Sequence, residues 1–256
     1  MPIALVTGGT AGIGAAFARA LAARGYDLVL VARTSSRLEE FGAGLRSDGC
    51  EVELITADLG DPADVDRVAA RLADTARPID LLVNNAGYGM KSRISDPDIA
   101  EADDAIAVMM RAPLVLSAAV VPGMRERGTG AIVNVASIAG YLSMGLYSAI
   151  KAWMRVYSES LSNALQGTGV TVTALLPGWV HTEFHDRAEI RKSSIPSWLW
   201  LDANDLVASC LRDVDRGRAI SVPSVRYRFL GWWLRHLPPR TIRWVSRKIS
   251  SSRHRD

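Results

Sequence analysis

Cysteine is scarce in this 256-residue sequence, which contains only Cys50 and Cys210. Two thiols are too few for the disulfide framework of a small secreted domain or for a cysteine zinc site, and they favour a reducing compartment. No basic stretch precedes an apolar run near Met1, so we expect no signal peptide and a cytoplasmic location. Hydrophobic residues make up 48% and charged residues 22% of the chain, a balance that excludes broad disorder.

Long hydrophobic runs are also rare. One uncharged stretch, residues 131–150, approaches the length of a membrane span, but Gly140 and Gly145 interrupt it and it holds an asparagine and three serines. We interpret it as a strand and a loop that lead into a buried helix, and we predict no transmembrane segment.

Acidic residues are nearly absent from the end of the chain. From Arg216 onward, ten arginines and one lysine stand against Asp256 alone, a net charge of +10, which leaves −7 for the first 215 residues of a chain with net charge +3. Tryptophan and leucine alternate with these arginines between Tyr227 and Val245. This composition suits either contact with anionic lipid or a basic helix packed over the acidic body or a partner subunit. No nucleic-acid recognition motif accompanies this positive charge, so we expect no nucleic acid as a partner.

Apolar strands alternate with helices along most of the chain. We predict strands near residues 3–7, 27–33, 51–56, 79–84, 131–136 and 170–176, separated by helices near residues 13–24, 36–47, 62–75, 99–127 and 147–165. Such alternation requires parallel pairing and right-handed crossovers, which predicts an α/β fold with a doubly wound parallel sheet flanked by helices. We expect one catalytic domain at residues 1–222, with a lid at 180–201, and a basic C-terminal extension at 223–256.

A glycine cluster separates the first predicted strand from the first predicted helix. It reads Thr7-Gly8-Gly9-Thr10-Ala11-Gly12-Ile13-Gly14, which is Gly-x-x-x-Gly-x-Gly rather than the common Gly-x-Gly-x-x-Gly. Glycines here allow a tight turn and let backbone N–H groups approach a pyrophosphate at a helix N-terminus. A Walker phosphate loop is excluded, because the Lys-Ser/Thr pair is missing. The alternative is an ordinary glycine-rich turn.

The second predicted strand ends at Arg33, with Arg37 close behind and no acid before Glu39. In a dinucleotide-binding fold, an acid in this region binds the ribose 2′-hydroxyl, whereas an arginine suits a 2′-phosphate. We therefore expect Arg33 and Arg37 to favour NADP(H) over NAD(H). The alternative for Arg33 is an ordinary exposed arginine.

Tyr147 and Lys151 are four residues apart at the start of a predicted helix, so their side chains point the same way. An ammonium about 4–5 Å from a phenol, at an effective dielectric near 20, is expected to lower the pKa of that phenol from about 10 towards about 7–8. Such a tyrosine can exchange a proton near neutral pH. The spacing alone is common, and its alternative is a half-buried helix face.

Five motifs together carry a family resemblance. They are the glycine turn at 7–14, Asn84-Asn85-Ala86-Gly87, Ser137, Tyr147-x-x-x-Lys151 and Pro177-Gly178. In this order they resemble the short-chain dehydrogenase/reductase family, over about residues 3–184. The resemblance implies a Rossmann-type sheet and direct hydride transfer between a nicotinamide and a carbonyl or alcohol carbon.

The resemblance also implies roles for single residues. Tyr147 would be the acid/base, Lys151 would bind the nicotinamide ribose and lower the tyrosine pKa, and Ser137 would hydrogen-bond the substrate oxygen. The other implied cofactor contacts are Gly8, Thr10, Gly12, Ile13, Gly14, Asp58, Leu59, Asn84, Ala86, Gly87, Tyr147, Pro177, Gly178, Val180 and Thr182. A homodimer or homotetramer is implied through helices near residues 100–127 and 147–165.

Two departures from the family pattern bear on activity. Ser137 precedes Tyr147 by ten residues, fewer than is usual in the family, so the loop is short and Ser143 is the alternative to Ser137. Met109 stands where many members carry an asparagine that supports a water relay to the lysine. Because Pro113 has no N–H, the Met109 carbonyl loses its helical partner and is free to hold such a water. We hypothesise a working but slower enzyme.

The predicted function is an NADP(H)-dependent oxidoreductase that interconverts a ketone or aldehyde and an alcohol. Aromatic residues in the lid, such as Trp198 and Trp200, suggest a hydrophobic or lipid-like substrate. The alternatives are a catalytically impaired NADP(H)-binding sensor or scaffold, and a peripheral membrane protein that uses the basic end. His181 and His185 flank Glu183, but this order differs from the His-Glu-x-x-His of zinc proteases, and we expect no metal site.

Overall fold

The structure is a computed structural model, and it describes residues 1–90, 94–182 and 196–253. The strands are β1 (Ile3–Thr7), β2 (Asp27–Ala32), β3 (Val52–Thr56), β4 (Leu81–Asn84), β5 (Gly130–Val135), β6 (Val170–Leu175), β7 (Trp179–Val180), β8 (Trp200–Leu201) and β9 (Ile220–Ser221). The helices are α1 (Gly12–Ala22), α2 (Ser35–Ser47), α3 (Pro62–Leu72), α4 (Ala100–Ile106), α5 (Ala112–Arg127), α6 (Leu146–Ala164), α7 (Ala203–Asp215), α8 (Val225–His236) and α9 (Pro239–Arg253).

Seven strands form one parallel sheet in the order β3-β2-β1-β4-β5-β6-β9. The chain runs outward from β1 to β3 and then returns to the other side of β1, where β4 begins the second half. Ligands of open α/β sheets bind beyond the carboxyl ends of the strands at such a reversal. The predicted doubly wound parallel sheet, in a single domain, is confirmed, and the glycine turn follows β1 at the reversal.

Apolar side chains cover both faces of the sheet, which explains why its central strands contain almost no polar residues. Leu5 of β1 belongs to a core formed with α3, α5 and α6, whereas its neighbours Ala4 and Val6 belong to a core formed with α1, α2 and α7. Neighbouring residues of a strand point to opposite faces, so a strand between two helical layers must be apolar throughout.

The long helix predicted near residues 99–127 is interrupted. One π-helical turn at Ala107–Arg111 separates α4 from α5, and the N–H of Ala112 donates to the carbonyl of Ala107. Pro113 follows directly and supplies no N–H, which accounts for a break in the regular pattern at this point. By length and composition the segment Ala100–Arg127 could span a bilayer. Its buried residues, such as Leu116 and Met124, pack against the sheet, as in a core helix.

The basic end of the chain forms two helices that pack on the body. Tyr227 and Leu234 of α8 are buried in a third core with Ile138 and Leu176. The Tyr227 hydroxyl donates to the carbonyl of Leu199 over 2.7 Å, and it accepts from a backbone N–H on the segment after β6 over 3.1 Å. The buried face of α8 therefore agrees with the alternative in which the basic end packs on the body of the protein. The division of the chain at residue 222 stays a prediction.

Replacement of Tyr227 by phenylalanine tests this anchor. Tyr227→Phe keeps the ring but leaves two buried backbone groups without their partner, so we expect the free energy of unfolding to fall by about 1–3 kcal/mol. Tyr26→Phe is the matched control, because the Tyr26 hydroxyl makes no hydrogen bond among the described residues; its expected change is within about 0.5 kcal/mol. Urea denaturation measures both, and equal losses in the two variants would contradict the anchor.

Candidate functional site

The glycine turn between β1 and α1 has the backbone form that a phosphate site requires. Gly8 and Gly12 have φ values of +63° and +52°, a left-handed conformation that favours glycine. A Cβ atom on Gly14 would lie 2.1 Å from the carbonyl oxygen of Gly8, so only glycine lets the helix start this close to the turn. Ala11 precedes the helix and has no side-chain group to cap its first N–H groups, which leaves them available to an anion.

A cluster of hydrogen bonds joins this turn to the end of β4. The Thr7 hydroxyl oxygen accepts from the backbone N–H groups of Asn85 and Ala86, each over 3.0 Å. The Asn85 amide donates to the carbonyl oxygens of Thr7 and Gly8 over 2.9 and 3.2 Å. Asn85 was not among the predicted site residues, because its role depends on a pairing between strands 78 residues apart.

Asn84 uses its side chain inside the protein. Its amide donates to the Asn134 side-chain oxygen over 2.9 Å and to the Ser117 hydroxyl over 3.3 Å, and the Asn134 amide donates to Ser158 over 2.9 Å. All four residues are at most 3% exposed. This network joins β4, β5, α5 and α6. The Asn84 amide nitrogen thus donates within the core, and the predicted contact of Asn84 with the adenosine side stays a prediction.

The predicted adenosine-side residues lie on the same sheet edge as the glycine turn. Arg33 and Arg37 are exposed just after β2, and Asp58 and Leu59 follow β3. The Asp58 carboxylate accepts from the N–H of Gly60 over 3.0 Å, which fixes its loop. Because β1, β2 and β3 are parallel neighbours, their carboxyl ends bring these residues together.

Lys151 lies in the second turn of α6, and its side chain is buried. Its side-chain ammonium donates to the carbonyl of Val135, at the end of β5, over 2.8 Å. The Lys151 nitrogen lies 5.7 Å from the centre of the Tyr147 ring, so the two predicted catalytic side chains are adjacent. Burial lowers the pKa of Lys151 to about 8, because removal of the ammonium from water disfavours its charged form.

Ser137 follows the end of β5 by two residues and caps the start of a short 3₁₀ turn, Ile138–Tyr141. Its hydroxyl accepts from the N–H of Ala139 over 3.1 Å and lies 3.4 Å from the carbonyl oxygen of Pro177. A Cβ atom on Gly140 would lie 2.9 Å from the Lys151 carbonyl oxygen. This close contact lets the chain return to α6 within the ten residues that separate Ser137 from Tyr147. The N–H of Ser143, the alternative serine, donates to Ser246 of α9 over 2.9 Å.

The segment after β6 closes over the glycine turn. Gly178 lies under the Tyr227 ring, because a Cβ atom there would be 2.0 Å from that ring. Val180 is buried and pairs with Leu201. A Cβ atom on Gly12 would be 3.1 Å from the methyl group of Thr182. Thr182 therefore lies next to the predicted phosphate site. Residues 183–195, which include Glu183, Phe184, His185 and Ile195 of the predicted lid, lie outside the described residues.

Met109 lies beside the cofactor edge. It is 1% exposed, and a Cβ atom on Gly87 would be 3.0 Å from its sulfur atom. Met109 belongs to the π-helical turn that ends just before Pro113. The departure from the family asparagine thus coincides with a local change of helix geometry, a feature often found at functional sites.

The described residues contain no group of three histidine, cysteine or acidic side chains that could hold a metal ion. His181 stacks on the Trp200 ring, with ring centres 4.6 Å apart.

Comparison with known proteins identifies the family. The family model for short chain dehydrogenases matches residues 2–192. A Streptomyces virginiae protein, whose name assigns it provisionally to ketoacyl reduction in the monensin polyketide synthase, is 40% identical over 190 residues, or 72% of this chain and 73% of its own. An uncharacterized oxidoreductase of Staphylococcus epidermidis is 31% identical over 202 residues, or 75% of this chain and 86% of its own.

Solved structures agree. A short-chain dehydrogenase from Sphingobium yanoikuyae in complex with NADPH has a TM-score of 0.83 and 35% identity, and the match covers 93% of this chain and 97% of the other. The bulky-bulky ketone specific alcohol dehydrogenase from Comamonas testosteroni has a TM-score of 0.79 and 30% identity, covering 93% and 96%. The chain belongs to the short-chain dehydrogenase/reductase family, whose members are oxidoreductases that use NAD(P)(H).

Proposed function

We propose that this protein is an NADP(H)-dependent oxidoreductase that interconverts a ketone or aldehyde and an alcohol on a hydrophobic substrate. The observation that carries the proposal is the buried Lys151 ammonium beside the Tyr147 ring, at the same sheet edge as the glycine turn. No carboxylate among the described residues pairs with this ammonium. A buried lysine without such a partner is costly to a fold, and such groups occur mainly where their charge is used.

The residues present fit a nicotinamide dinucleotide. The uncapped start of α1 and the left-handed glycines Gly8 and Gly12 suit the pyrophosphate, and Thr182 approaches the same turn. When bound, the nicotinamide supplies or accepts the hydride. Asp58 and Leu59 would hold the adenine, and Lys151 the nicotinamide ribose.

Tyr147 is the proton donor in the direction of reduction. As the carbonyl oxygen becomes an alkoxide, the phenol delivers its proton to that oxygen, and the Ser137 hydroxyl hydrogen-bonds the same oxygen. The Lys151 ammonium stabilises the phenolate that remains, and the Val135 carbonyl fixes its position. Alcohol oxidation uses the same groups in reverse.

Two observations support NADP(H) over NAD(H). Arg33 and Arg37 are exposed just after β2, where the adenosine ribose is bound in this type of fold, and a guanidinium suits a 2′-phosphate. The Sphingobium yanoikuyae relative was solved with NADPH.

Two aromatic side chains that follow β6 in the chain support a hydrophobic substrate. Trp179 and Trp200 are half-buried, with ring centres 6.0 Å apart; Trp200 belongs to the predicted lid, and Trp179 directly precedes it. The Comamonas testosteroni relative is described as specific for bulky-bulky ketones.

A homo-oligomer is supported by exposed apolar residues on the expected helices. Ile106 and Leu114 of the α4–α5 segment are 39% and 46% exposed, and Val156 of α6 is 49% exposed. Large apolar side chains on two helices that serve the family as an interface favour a dimer or tetramer.

A second candidate function, an NADP(H)-binding protein with impaired catalysis, is favoured by Met109. Its thioether cannot donate a hydrogen bond as the amide of an asparagine does. NADPH binding without turnover on a broad panel of carbonyl compounds would support this candidate.

The acid/base role of Tyr147 is tested by Tyr147→Phe. Loss of the hydroxyl removes the proton donor, so we expect kcat to fall about 10²- to 10⁴-fold while NADPH affinity changes little. Tyr26→Phe, which changes a tyrosine whose hydroxyl makes no hydrogen bond among the described residues, is the matched control and should keep kcat within about twofold of wild type. Steady-state kinetics with a ketone and fluorescence titration of NADPH measure these effects. Full turnover in Tyr147→Phe would remove the mechanism.

Cofactor choice is tested by Arg33→Asp. A carboxylate repels the 2′-phosphate and can bind the 2′-hydroxyl, so we expect the wild-type preference for NADPH to reverse towards NADH. Arg212→Asp, which changes an exposed arginine of α7, should leave the preference as in wild type. Titration of each variant with both cofactors decides. A wild-type preference for NADH would defeat the argument from Arg33.

The buried charge of Lys151 predicts an unusual pH dependence of stability. The lysine is protonated up to about pH 10.5 when unfolded but only up to about pH 8 when folded, so the unfolded chain binds more protons between these values. The free energy of unfolding should therefore rise with pH in this window, by up to about 3 kcal/mol in total.

Lys151→Met should lack this rise, and Lys248→Met, which changes an exposed lysine, should keep it. Urea titrations of the cofactor-free protein from pH 7 to 10 provide the comparison. An identical pH dependence in wild type and Lys151→Met would show that the ammonium is not desolvated.

A further inference from the structure

Helix α8 has two apolar faces, of which one is buried against the protein and the other is exposed. Tyr227, Gly231 and Leu234 face the protein and are buried. The opposite side carries Val225, Phe229, Trp232 and Trp233, which are 70%, 65%, 55% and 46% exposed. Their spacing of four, three and one residues places all four on one side of a helix. We call these four residues the aromatic face.

The rings of the aromatic face contact one another and form a continuous surface. Phe229 and Trp233 have ring centres 6.0 Å apart, and Trp232 and Trp233 have ring centres 5.5 Å apart, both in edge-to-face geometry. Large apolar side chains that are exposed singly are ordinary, but a connected patch on one helix indicates an interaction surface.

Positive charge surrounds this patch. Arg226, Arg228 and Arg235 are exposed on the same helix, on either side of the aromatic face. On the next helix, Arg240, Arg243 and Arg247 line a cavity of about 500 Å³ together with Ser143; we call it the arginine cavity. Among the residues that the structure describes, no carboxylate pairs with the three arginines of this cavity.

The charge distinguishes between two occupants of the aromatic face. A second copy of the chain, related by a twofold axis, would bring the same arginines against each other in a segment of net charge +10. Such like-charge contacts oppose association. A bilayer that contains anionic phospholipid offers the complementary charge, together with a headgroup region that suits tryptophan beside arginine.

We propose that α8 and α9 form a docking surface for an anionic phospholipid bilayer. The arginine cavity binds lipid phosphate groups, since a guanidinium forms paired hydrogen bonds with phosphate oxygens. The aromatic face lies in the headgroup region, as in interfacial amphipathic helices.

Docking of α8 places the active site close to the lipid. Tyr227 of the same helix holds Leu199 of the predicted lid and packs on Gly178, a predicted cofactor contact. This consequence rests on the proposed function: an apolar ketone or alcohol dissolved in the bilayer would enter the site directly.

Vesicle co-sedimentation of the full chain tests the docking surface. We expect strong binding to vesicles of equal parts phosphatidylcholine and phosphatidylglycerol, weak binding to phosphatidylcholine alone, and loss of the difference at about 1 M salt, where the Debye length is about 3 Å. Soluble glycerol phosphate in excess should compete poorly, whereas strong competition would identify a site for a soluble phosphate ester and overturn the bilayer as occupant.

Two double variants separate the contributions. Arg243→Gln with Arg247→Gln should lower the partition coefficient on anionic vesicles about twentyfold to thirtyfold. Trp232→Ala with Trp233→Ala should lower it at least tenfold. Arg212→Gln with Arg216→Gln removes the same charge from α7 and its end, in a different part of the surface, and should change the coefficient less than threefold. An equal loss in this control would reduce the effect to net charge and overturn the site.

Other measurements exclude competing explanations. All variants should keep the wild-type unfolding midpoint and the wild-type kcat on a water-soluble ketone, because none of the changed residues touches the proposed catalytic groups. Tyr147→Phe should bind vesicles as wild type does, so that failure of the proposed function and failure of docking are distinguishable. If Trp232→Ala with Trp233→Ala instead reduces the oligomer size in light scattering and leaves vesicle binding unchanged, the face is an interface between copies and the proposal is wrong.

Discussion

The hydrogen bond from the buried Lys151 ammonium to the Val135 carbonyl is the constraint around which the site is arranged. It joins the end of a central strand to the start of α6, and it fixes the ammonium beside Tyr147. Burial of a cation opposes folding, and its lowered pKa expresses that opposition. A site of this kind is stable only because the large apolar cores on both faces of the sheet offset the unfavourable charge.

Close backbone contacts give the site its dimensions. Gly14 lets α1 begin against the carbonyl of Gly8, and Gly140 lets the turn after Ser137 lie against the backbone of Lys151. The buried network from Asn84 through Asn134 to Ser158 holds two strands and α6 in one register. A buried polar network of this kind favours one arrangement, because a shift would separate its amide donors from their acceptors.

The last two helices connect the surface of the protein to its candidate site. Tyr227 anchors α8 to the segment that follows β6, while the other side of the same helix presents aromatic rings and arginines to the solvent. One helix thereby contributes both to the core and to the proposed docking surface. The two solved structures match 93% of the chain, whereas the family model ends at residue 192, before these helices begin.

The sequence by itself was sufficient to predict the parallel sheet, because each central strand is apolar on both faces and each is followed by a helical period. It also predicted the adjacency of Tyr147 and Lys151, which depends only on the geometry of one helix. The roles of Asn85 and Tyr227 were decided by the tertiary structure, since their partners are 78 and 28 residues away. The composition of the basic C-terminal extension left a packed helix and a lipid-binding helix as alternatives. Only the packing of α8 showed that one side of this helix is buried in the core while the opposite side is exposed, because sequence periodicity gives the faces of a helix but not what covers them.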